Sequence, residues 1–574
     1  MTETTVTING IKTTVPGGTS ILQAANEAGV RIPTLCFHPD QEVKANCRIC
    51  VVEVEGYRNL MPACATAVSE GMVIKTATRR VLEARRTLLE LILARHPQDC
   101  LHCVRSGKCE LQDLAAEYDV RDNRFPQEER QLPLDYSSPA MVRDPNKCIL
   151  CGRCIEVCTS LQTVNALGLA NRGFDTQVVA SIDHDLFESP CVMCGQCIHA
   201  CPVGAIAARE QIDELMDAIS DPEKVVVTQM APAVRLALAE EFGGDPNQFQ
   251  MEQLVNGLQI LGFDYVLHTN FAADLTIWEE GNELVERLQD GRDLPMFTSC
   301  CPGWVRFAEV FYPKQLNHLS TCKSPQQMFG ALAKTYWAEK MGIDPEKIVS
   351  VSIMPCTAKK YESVRPEMID SGYADVDMVL TTREIARLFK MSGINPLKLE
   401  GASFAPWMGE YTGAAVLFGA SGGVMEAALR TVCEKVGGTL ENLDFCDVRG
   451  MQGVKEAEVN LNGTTVKVAV AHTLNNARKL LDQVAAGESP YHFIEVMACP
   501  GGCIGGGGQP ITRDNQQRAR RMEAIYVEDQ GQTVRKSHEN EEVKALYKEY
   551  LQEVASHTAH ELLHTEYTLK RKNT

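Results

Sequence analysis

The sequence lacks several features that would assign it to a whole class of proteins. None of its apolar runs is long enough to span a bilayer, and its start, MTETTVTING, has neither the basic nor the apolar region of a secretory signal. Positive charge is also scarce: the net charge is −19, which disfavours nucleic acid and anionic membranes as partners. No G-K-[ST] ending follows the glycine-rich run near the C-terminal end, which argues against a phosphate loop there. We expect a cytoplasmic protein with no membrane span.

Cysteine, in contrast, is abundant. The 574 residues include 23 cysteines, and most of them lie in clusters with short spacings. In a long chain without a secretory signal, such clusters are typical of metal ligands rather than disulfides. Soft thiolates select iron–sulfur clusters, zinc or Cu(I). At this length, and with 44% hydrophobic residues, the chain is expected to form several globular domains.

The first segment predicts a small β-grasp ferredoxin-like domain over residues 1–79. Two alternating stretches, ETTVTI and KTTV, flank Asn9-Gly10, which is a strong hairpin signal. The helix ILQAANEAGV follows, with Thr19 or Ser20 as its N-cap, and then a loop that carries cysteines. Four thiolates in such a loop are typical of a 2Fe-2S cluster, and structural zinc is the alternative. The predicted ligands are Cys36, Cys47, Cys50 and Cys64.

The second segment, residues 80–126, is rich in Arg, Leu and Glu and predicts a small helical domain. It holds only three clustered cysteines, so a cluster there needs another ligand. His96 lies four residues before the first cysteine, whereas the competing His102 lies inside the short C-x2-C loop. Cys3His zinc is the alternative to a 4Fe-4S cluster. The predicted ligands are His96, Cys100, Cys103 and Cys109.

The cysteine spacing of the third segment is the most specific of these signals. A polar stretch with three prolines, residues 120–139, predicts a linker into a domain over residues 139–209. The spacing C-x2-C-x2-C-x3-C occurs twice in that domain, as in two-cluster bacterial ferredoxins, where the fourth cysteine of each run ligates the other cluster. Zinc is a weak alternative. One 4Fe-4S cluster is predicted on Cys148, Cys151, Cys154 and Cys201, and the other on Cys191, Cys194, Cys197 and Cys158.

Residues 210–574 alternate short apolar β-rich runs with helical patterns, which predicts parallel α/β sheets. Three runs end in thiols: PMFTS is followed by Cys300 and Cys301, VSIMP by Cys356, and HFIEVMA by Cys499. Open α/β sheets bind ligands outside the carboxyl ends of their strands. We therefore expect one buried site here, to which the four upstream clusters conduct electrons. A charged helical tail is predicted from about residue 535.

Three motifs carry a close resemblance to a known family. TSCCPGW (298–304), MPCTAKK (354–360) and MACPGGCIGGGGQP (497–510) resemble the signature motifs of the iron-only (FeFe) hydrogenases. The accessory clusters match as well, so the resemblance covers essentially the whole chain and is to the clostridial type with four accessory clusters. It implies a large two-lobed α/β catalytic domain with the cofactor between the lobes. The implied reaction is the reversible conversion of 2H+ and 2e− to H2.

The resemblance also implies the residues of the cofactor site. Cys301, Cys356, Cys499 and Cys503 would hold a 4Fe-4S cubane, and Cys503 would bridge to a diiron unit with CO, cyanide and a bridging dithiolate. Lys359 would bond a cyanide ligand. Where some members of the family have Ser, this chain has Ala233. The implied pocket residues are Ala231, Pro232, Pro325, Gln326, Met354, Phe418 and Met497.

A proton path is implied in the same way. Glu280, Glu283 and Arg287 share one face of the predicted helix LTIWEEGNELVER, which by itself would indicate only a solvated stripe of ion pairs. The resemblance makes them part of a relay with the thiol of Cys300 at its inner end. The implied order, outward, is Cys300, Glu280, Ser320, Glu283 and Arg287.

Several alternatives about partners and activity stay open. The segment HPQDCLHC…GKCELQDLAAE also resembles subunits of NAD(P)-linked or electron-bifurcating hydrogenases, so the electron partner could be ferredoxin, a flavin-containing NAD(P)-binding subunit or a formate dehydrogenase. Maturation proteins are expected to build the diiron unit. A hydrogen sensor, a cluster-assembly protein and a pure electron-transfer protein are the non-catalytic readings, and Cys300, Lys359 and the third motif argue against them. Cys322, Cys433 and Cys446 have no assigned role.

Overall fold

The computed structural model describes residues 3–122, 124, 125, 131–180, 185–438, 440, 442–461, 463–512 and 514–570. The predicted linker over 120–139 falls partly outside this set, and so do residues 571–574 at the end of the predicted charged tail. The described residues 131–139 contain no helix and no strand, only a bridge from Asp135 to Arg143. No helix in the described part of the chain is both long and apolar enough to cross a membrane.

The N-terminal domain is a five-stranded β-grasp sheet with the order β2-β1-β5-β3-β4. The predicted hairpin is confirmed, since Asn9 and Gly10 both have the positive φ angles that a two-residue turn requires. Ser20 caps the first helix in a reciprocal capping box with Gln23. Its elements are β1 (Glu3–Ile8), β2 (Ile11–Pro16), α1 (Ile21–Glu27), β3 (Val51–Val54), β4 (Met61–Pro62) and β5 (Val73–Lys75).

Two small cluster domains follow. The predicted helical domain consists of α2 (Arg79–Leu93) and α3 (Glu110–Glu117), between which lies the cysteine loop. The next domain contains two short two-stranded sheets and two short helices. This is the two-cluster ferredoxin-like domain that the repeated cysteine pattern predicts. Its elements are β6 (Met141–Arg143), α4 (Arg153–Glu156), β7 (Gly168–Ala170), β8 (Gln177–Val179), α5 (Gln196–Ala200) and β9 (Ile206–Ala208).

The large domain has two lobes, each built on a four-stranded sheet covered by helices. The first sheet, β11-β10-β13-β14, is parallel throughout, as predicted. Its elements are α6 (Ile212–Ser220), β10 (Val225–Met230), α7 (Pro232–Glu241), α8 (Met251–Leu261), β11 (Tyr265–His268), α9 (Thr269–Asp290), β12 (Met296–Phe297), α10 (Pro302–Phe311), α11 (Pro325–Leu332), α12 (Ala338–Met341), β13 (Ile348–Met354), α13 (Ala358–Glu362), β14 (Met378–Thr381) and α14 (Thr382–Met391), of which β12 belongs to the second sheet.

The second sheet has the order β12-β17-β16-β15 and is mixed, because β15 pairs antiparallel with β16 as a hairpin. The sequence analysis did not predict β15. The remaining elements are α15 (Gly413–Val416), α16 (Gly423–Lys435), β15 (Val454–Leu461), β16 (Thr464–His472), α17 (Leu474–Ala486), β17 (Phe493–Met497), α18 (Asn515–Gly531), α19 (Glu541–Leu546) and α20 (His557–Leu563).

The C-terminal segment is helical, as predicted, and it is packed against the catalytic domain. The backbone N–H of Lys323 donates to the carbonyl of Leu563, and the N–H of Thr565 donates to the carbonyl of Thr321, both at 2.8 Å. Apolar side chains of α19 and α20 are buried in one cluster with those of α9 and α11. Burial of this apolar surface holds the segment in place.

Candidate functional site

One cavity between the two lobes collects the residues that the three motifs supply. It lies at the carboxyl ends of β10, β11 and β13 from the first sheet and of β12 and β17 from the second, where α/β sheets place their ligands. Its volume is about 80 Å³, several times what one water needs, roughly 10–15 Å³. The sequence-predicted residues that line it are Cys300, Cys301, Cys356, Lys359, Cys499, Cys503, Ala231, Pro232, Pro325, Gln326, Met354, Phe418 and Met497.

The donor set of this cavity suits an iron–sulfur cofactor. Four cysteines from three distant segments face one enclosed space, and Cys301, Cys356 and Cys503 each lie close enough to Cys499 for their charge to raise its pKa. Burial raises the pKa of Cys356 to about 12 and raises the pKa of Cys499 well above the ordinary thiol value. Buried thiols of this kind become thiolates only when a cation replaces the proton, as iron does. The residues present therefore fit a cubane held by four thiolates.

The glycine run of the third motif allows backbone to approach backbone. A Cβ atom on Gly506 would lie 2.1 Å from the carbonyl oxygen of Pro355, and one on Gly507 would lie 2.3 Å from that of Cys194. Side chains at these positions are therefore excluded. Gln196 donates to the carbonyl of Gly505 at 2.9 Å across the same contact. The third motif thus packs directly onto the cysteine loop of the neighbouring two-cluster domain.

Lys359 is held by a buried network that the sequence analysis did not predict. Its Nζ donates to Glu362 Oε2 at 2.8 Å and to the carbonyl of Cys300 at 3.1 Å. The same Glu362 oxygen accepts from Ser324 at 2.9 Å and from Gln326 at 3.2 Å. The spacing from Lys359 to Glu362, three residues on one helix, is the signal that could have identified this carboxylate.

Two polar residues of the cavity also escaped the sequence analysis. Thr269 and Asn270 line it directly after β11, and both are buried. The Thr269 hydroxyl donates to Gln229 at 2.9 Å. Within the described part of the chain, the amide of Asn270 makes no side-chain hydrogen bond. Their position at the carboxyl end of a strand, in the run FDYVLHTN, was the available signal.

The outer relay residues are hydrogen-bonded to one another, whereas neither carboxyl oxygen of Glu280 has a hydrogen-bond partner within the described part of the chain. Ser320 donates to Glu283 at 2.9 Å, and Arg287 donates to the other oxygen of Glu283 at 2.6 Å. Glu280 is fully buried, and burial, reinforced by the charge of Glu283, raises its pKa to about 8. Burial also raises the pKa of Cys300, with the Glu280 charge acting in the same direction. Both inner groups therefore favour their protonated forms at neutral pH.

The four thiols predicted for the 2Fe-2S cluster lie together in the first domain. The Sγ atoms of Cys50 and Cys64 are 3.4 Å apart, and the backbone N–H of Cys47 donates to Cys36 Sγ at 3.5 Å. The pKa of each of the four thiols is shifted by another thiol of the set. This is a compact set of four soft ligands, three from the loop before β3 and one directly after β4.

The two-cluster domain contains two separate cavities, each lined by four cysteines. The crossover that the repeated motif predicts is present in the geometry, because each cavity takes three cysteines from one run and the fourth from the other. One cavity is lined by Cys148, Cys151, Cys154 and Cys201, and the second is lined by Cys158, Cys191, Cys194 and Cys197.

The fourth set contains the histidine. His96 and Cys109 are buried, Cys100 and Cys103 are half-buried, and the competing His102 is exposed. Burial lowers the pKa of His96, which keeps the imidazole in the neutral form that binds metals. The difference in burial favours His96 over His102 as the ligand.

Comparison with known families matches nearly every part of the chain. "Iron only hydrogenase large subunit, C-terminal domain" matches residues 224–507, and "Iron hydrogenase small subunit" matches 515–570. Upstream, the matches are a 2Fe-2S iron–sulfur cluster binding domain (1–79), the NADH-ubiquinone oxidoreductase-G iron–sulfur binding region (85–124) and a 4Fe-4S dicluster domain (147–205). The sequence predicts only a charged helical tail from about residue 535, whereas the matched small-subunit segment begins at 515.

Individual relatives belong to the same family. The chain is 48% identical to "NADP-reducing hydrogenase subunit HndD" of Solidesulfovibrio fructosivorans over 100% of both chains, and 40% identical to "Iron hydrogenase 1" of Clostridium pasteurianum over 98% of this chain and 99% of that one. A solved structure of apo [FeFe]-hydrogenase HydA1 from Chlamydomonas reinhardtii, 42% identical, superposes with a TM-score of 0.57 over 63% of this chain and 99% of that chain. With this similarity over its full length and the cofactor domain intact, the chain belongs to the iron-only (FeFe) hydrogenases and is an enzyme.

Proposed function

We propose that this hydrogenase interconverts 2H+ plus 2e− and H2 at a cofactor held by Cys301, Cys356, Cys499 and Cys503. The observation that carries the assignment is the single enclosed cavity on which these four thiols converge. When bound, the diiron part of the cofactor supplies the site of H2 formation and cleavage, and Cys503 would join it to the cubane. The protein's own residues bind and orient this group, exclude water and move protons.

The polar groups of the cavity divide these tasks. Lys359 presents a buried positive charge that suits an anionic cyanide ligand, and Glu362 fixes its position. Cys300 carries the thiol proton closest to the cofactor, and Glu280 returns that proton from the relay. The apolar side chains of Phe418, Met354 and Met497 keep water out of the rest of the space.

We infer that four accessory clusters supply the electrons: one 2Fe-2S cluster in domain 1–79, one His/Cys3 4Fe-4S cluster in 80–126 and two 4Fe-4S clusters in 139–209. Their ligands would be the four cysteine or histidine sets described above. The contact of Gly507 with Cys194 supports entry from the two-cluster domain into the catalytic domain, 210–574, because it brings two ligand loops together.

We further propose a separate electron partner in the cytoplasm. No nucleotide-binding or flavin motif accompanies the clusters in the sequence. A full-length relative is named as a subunit of an NADP-reducing hydrogenase, which favours a flavin-containing, NAD(P)-binding partner subunit over free ferredoxin. Isolation of the native protein under anaerobic conditions tests this. Co-elution with a flavoprotein and H2 formation from NADPH would support it, whereas an isolated chain served only by ferredoxin would refute it.

Turnover with a matched thiol variant tests the chemistry. The matured protein is expected to evolve H2 from a strong one-electron reductant, and Cys300→Ala should lower the rate by about 10²–10⁴, the usual value of a positioned proton donor. Cys433→Ala, which removes a buried thiol away from the cavity, should retain activity. Full turnover by Cys300→Ala would contradict the assignment of the inner proton donor.

A further inference from the structure

The outermost residue of the proposed relay cannot itself exchange protons with water. Arg287 donates to Glu283 at 2.6 Å and also to the carbonyl oxygens of Asn317 and Leu319, at 3.0 and 2.8 Å. A guanidinium group does not give up its proton in a protein. Arg287 therefore orients Glu283 and neutralises its charge, so protons enter either at Glu283 itself, which lines a surface cavity, or at a group hydrogen-bonded to it.

A histidine of the C-terminal segment lies on the other side of Glu283. The Nδ1 atom of His564 is 2.8 Å from the hydroxyl of Thr321, and that hydroxyl is 3.3 Å from Glu283 Oε2. The Nε2 atom of His564 is 3.2 Å from Glu279 Oε2. These contacts form a continuous hydrogen-bonded line from His564 to the relay carboxylate.

The same line opens onto a second cavity, apart from the cofactor site. This cavity has a volume of about 310 Å³, which is room for many waters at roughly 30 Å³ each. Glu279, Glu283, Thr321, His560 and His564 all contribute to its wall. The ring of His560 stands 4.3 Å from that of His564. The two imidazole groups and the relay carboxylate Glu283 thus line the same cavity.

We propose that His564, acting through the Thr321 hydroxyl, is the group that transfers protons between solvent and Glu283. This inference rests on the relay proposed above. In the inward direction the Nδ1–H proton of the imidazolium passes to the Thr321 oxygen while the hydroxyl proton passes to Glu283. One proton leaves His564, one arrives at Glu283, and no electrons move. Imidazole suits this role because it gains and loses a proton near neutral pH.

Charged and titratable groups pack around His564 from several elements. Two carboxylates face it from α9: Glu279 through Nε2 and Glu283 through Thr321. Glu279 is itself fixed by the Tyr547 hydroxyl at 2.5 Å. Burial raises the pKa of Cys322, the neighbour on the paired strand, so this thiol stays neutral. The guanidinium groups on the same cavity wall are those of Arg287, held on Glu283, and Arg292, and the His560 ring lies beside that of His564.

The backbone fixes this geometry. The hydrogen bonds of the Lys323 and Thr565 N–H groups join the segment around Thr321 to the end of α20 on both sides of His564. The segment 515–570, which matches the family described as a small subunit, thereby contributes a chemical group to proton delivery as well as buried apolar surface.

Relaxation of the cofactor's infrared CO and cyanide bands after a pH jump, measured on the matured holoenzyme, tests the proposal without turnover. We expect His564→Gln and Thr321→Val to slow the relaxation by about 10²-fold, the usual value of one positioned acid–base group, with unchanged final spectra and iron content. Added imidazole should restore the rate in His564→Gln, and Thr321→Ser should relax like the wild type. His557→Gln is the matched control, because His557 is exposed at the start of α20.

The variants distinguish the role of His564 from the relay itself. Wild-type relaxation in His564→Gln, together with slow relaxation in Glu283→Gln, would overturn the role of His564 and leave the relay intact. Wild-type relaxation in Glu283→Gln would instead overturn the relay itself. If His564→Gln loses iron or fails to fold, Thr321→Val decides: slow relaxation with full iron content supports the proposal, and wild-type relaxation refutes it.

Discussion

Replacing the buried carboxyl of Glu280 with an amide should stabilise the protein while it blocks the proton path. Glu280 is 0% exposed, and its pKa of about 8 lies well above the ordinary glutamate value of 4.5. Between pH 4.5 and 8, Glu280 is therefore protonated in the folded state and ionised in the unfolded state. The contribution of Glu280 to the free energy of unfolding is therefore most favourable below pH 4.5. It falls as the pH rises to 8, because folding must then take up this proton.

The size of the effect follows from the shift. A rise from 4.5 to about 8 costs ~5 kcal/mol of folding free energy above pH 8, and about 3 kcal/mol at pH 7. The amide of the variant cannot ionise, so Glu280→Gln should recover most of this free energy at pH 8 and almost none at pH 4. The same change should lower H2 turnover by about 10²–10⁴, since an amide cannot pass a proton between Cys300 and Ser320.

The assay compares the infrared carbonyl band of protonated carboxylic acids between wild type and variant across pH. The wild type should show a band that Glu280→Gln lacks and that disappears with a midpoint near pH 8. Thermal denaturation at pH 5 and pH 8 gives the matching stability difference. Glu286→Gln, an exposed position on the same helix, is the control and should change neither reading. A Glu280 band that disappears near pH 4.5, or a pH-independent stability gain, would refute the reasoning.

Two further changes test packing and buried charge. Gly507→Ala forces a Cβ to 2.3 Å from the Cys194 carbonyl oxygen, so we expect ~1–3 kcal/mol of destabilisation and slower reduction of the cofactor by electron donors. Gly531→Ala is the control, because its Cβ meets nothing within 4 Å. It should match the wild type in thermal unfolding and in reduction kinetics. Lys323→Met leaves Asp375 buried without its 2.9 Å partner and should cost about 3–5 kcal/mol in denaturant unfolding. Lys347→Ala, in an exposed pair, should cost about 0–1 kcal/mol, and equal losses for the two lysines would contradict this account.

Local signals predicted much of the fold. The Asn9-Gly10 turn and the Ser20 cap follow from residues within a few positions of each other, and both are present in the structure. The runs that end in Cys356 and Cys499 belong to different sheets, and each thiol lies at the carboxyl end of its own sheet, where both ends face the same cavity. Such predictions succeed because the chemistry that decides them is local or imposed by strand direction.

Other features depend on contacts between distant segments. The partner of Lys359, the polar wall residue Asn270 and the approach of His564 to Thr321 all follow from packing of separate elements. Strand β15 was missed because its run alternates with charged residues, VKEAEVNL, and gains its place only by pairing with β16. A sequence read alone gives no distance between positions hundreds of residues apart.

Infrared spectroscopy of the matured protein, with Cys503→Ala beside the wild type, tests whether this cavity is the site of hydrogen chemistry. We expect CO and cyanide stretching bands in the wild type and their loss in Cys503→Ala, with the accessory iron–sulfur signals retained in both. Cys446→Ala, an exposed thiol, should keep the bands. Absence of the bands from a wild type with intact accessory clusters, or their persistence in Cys503→Ala, would contradict the assignment of this cavity as the site of hydrogen chemistry.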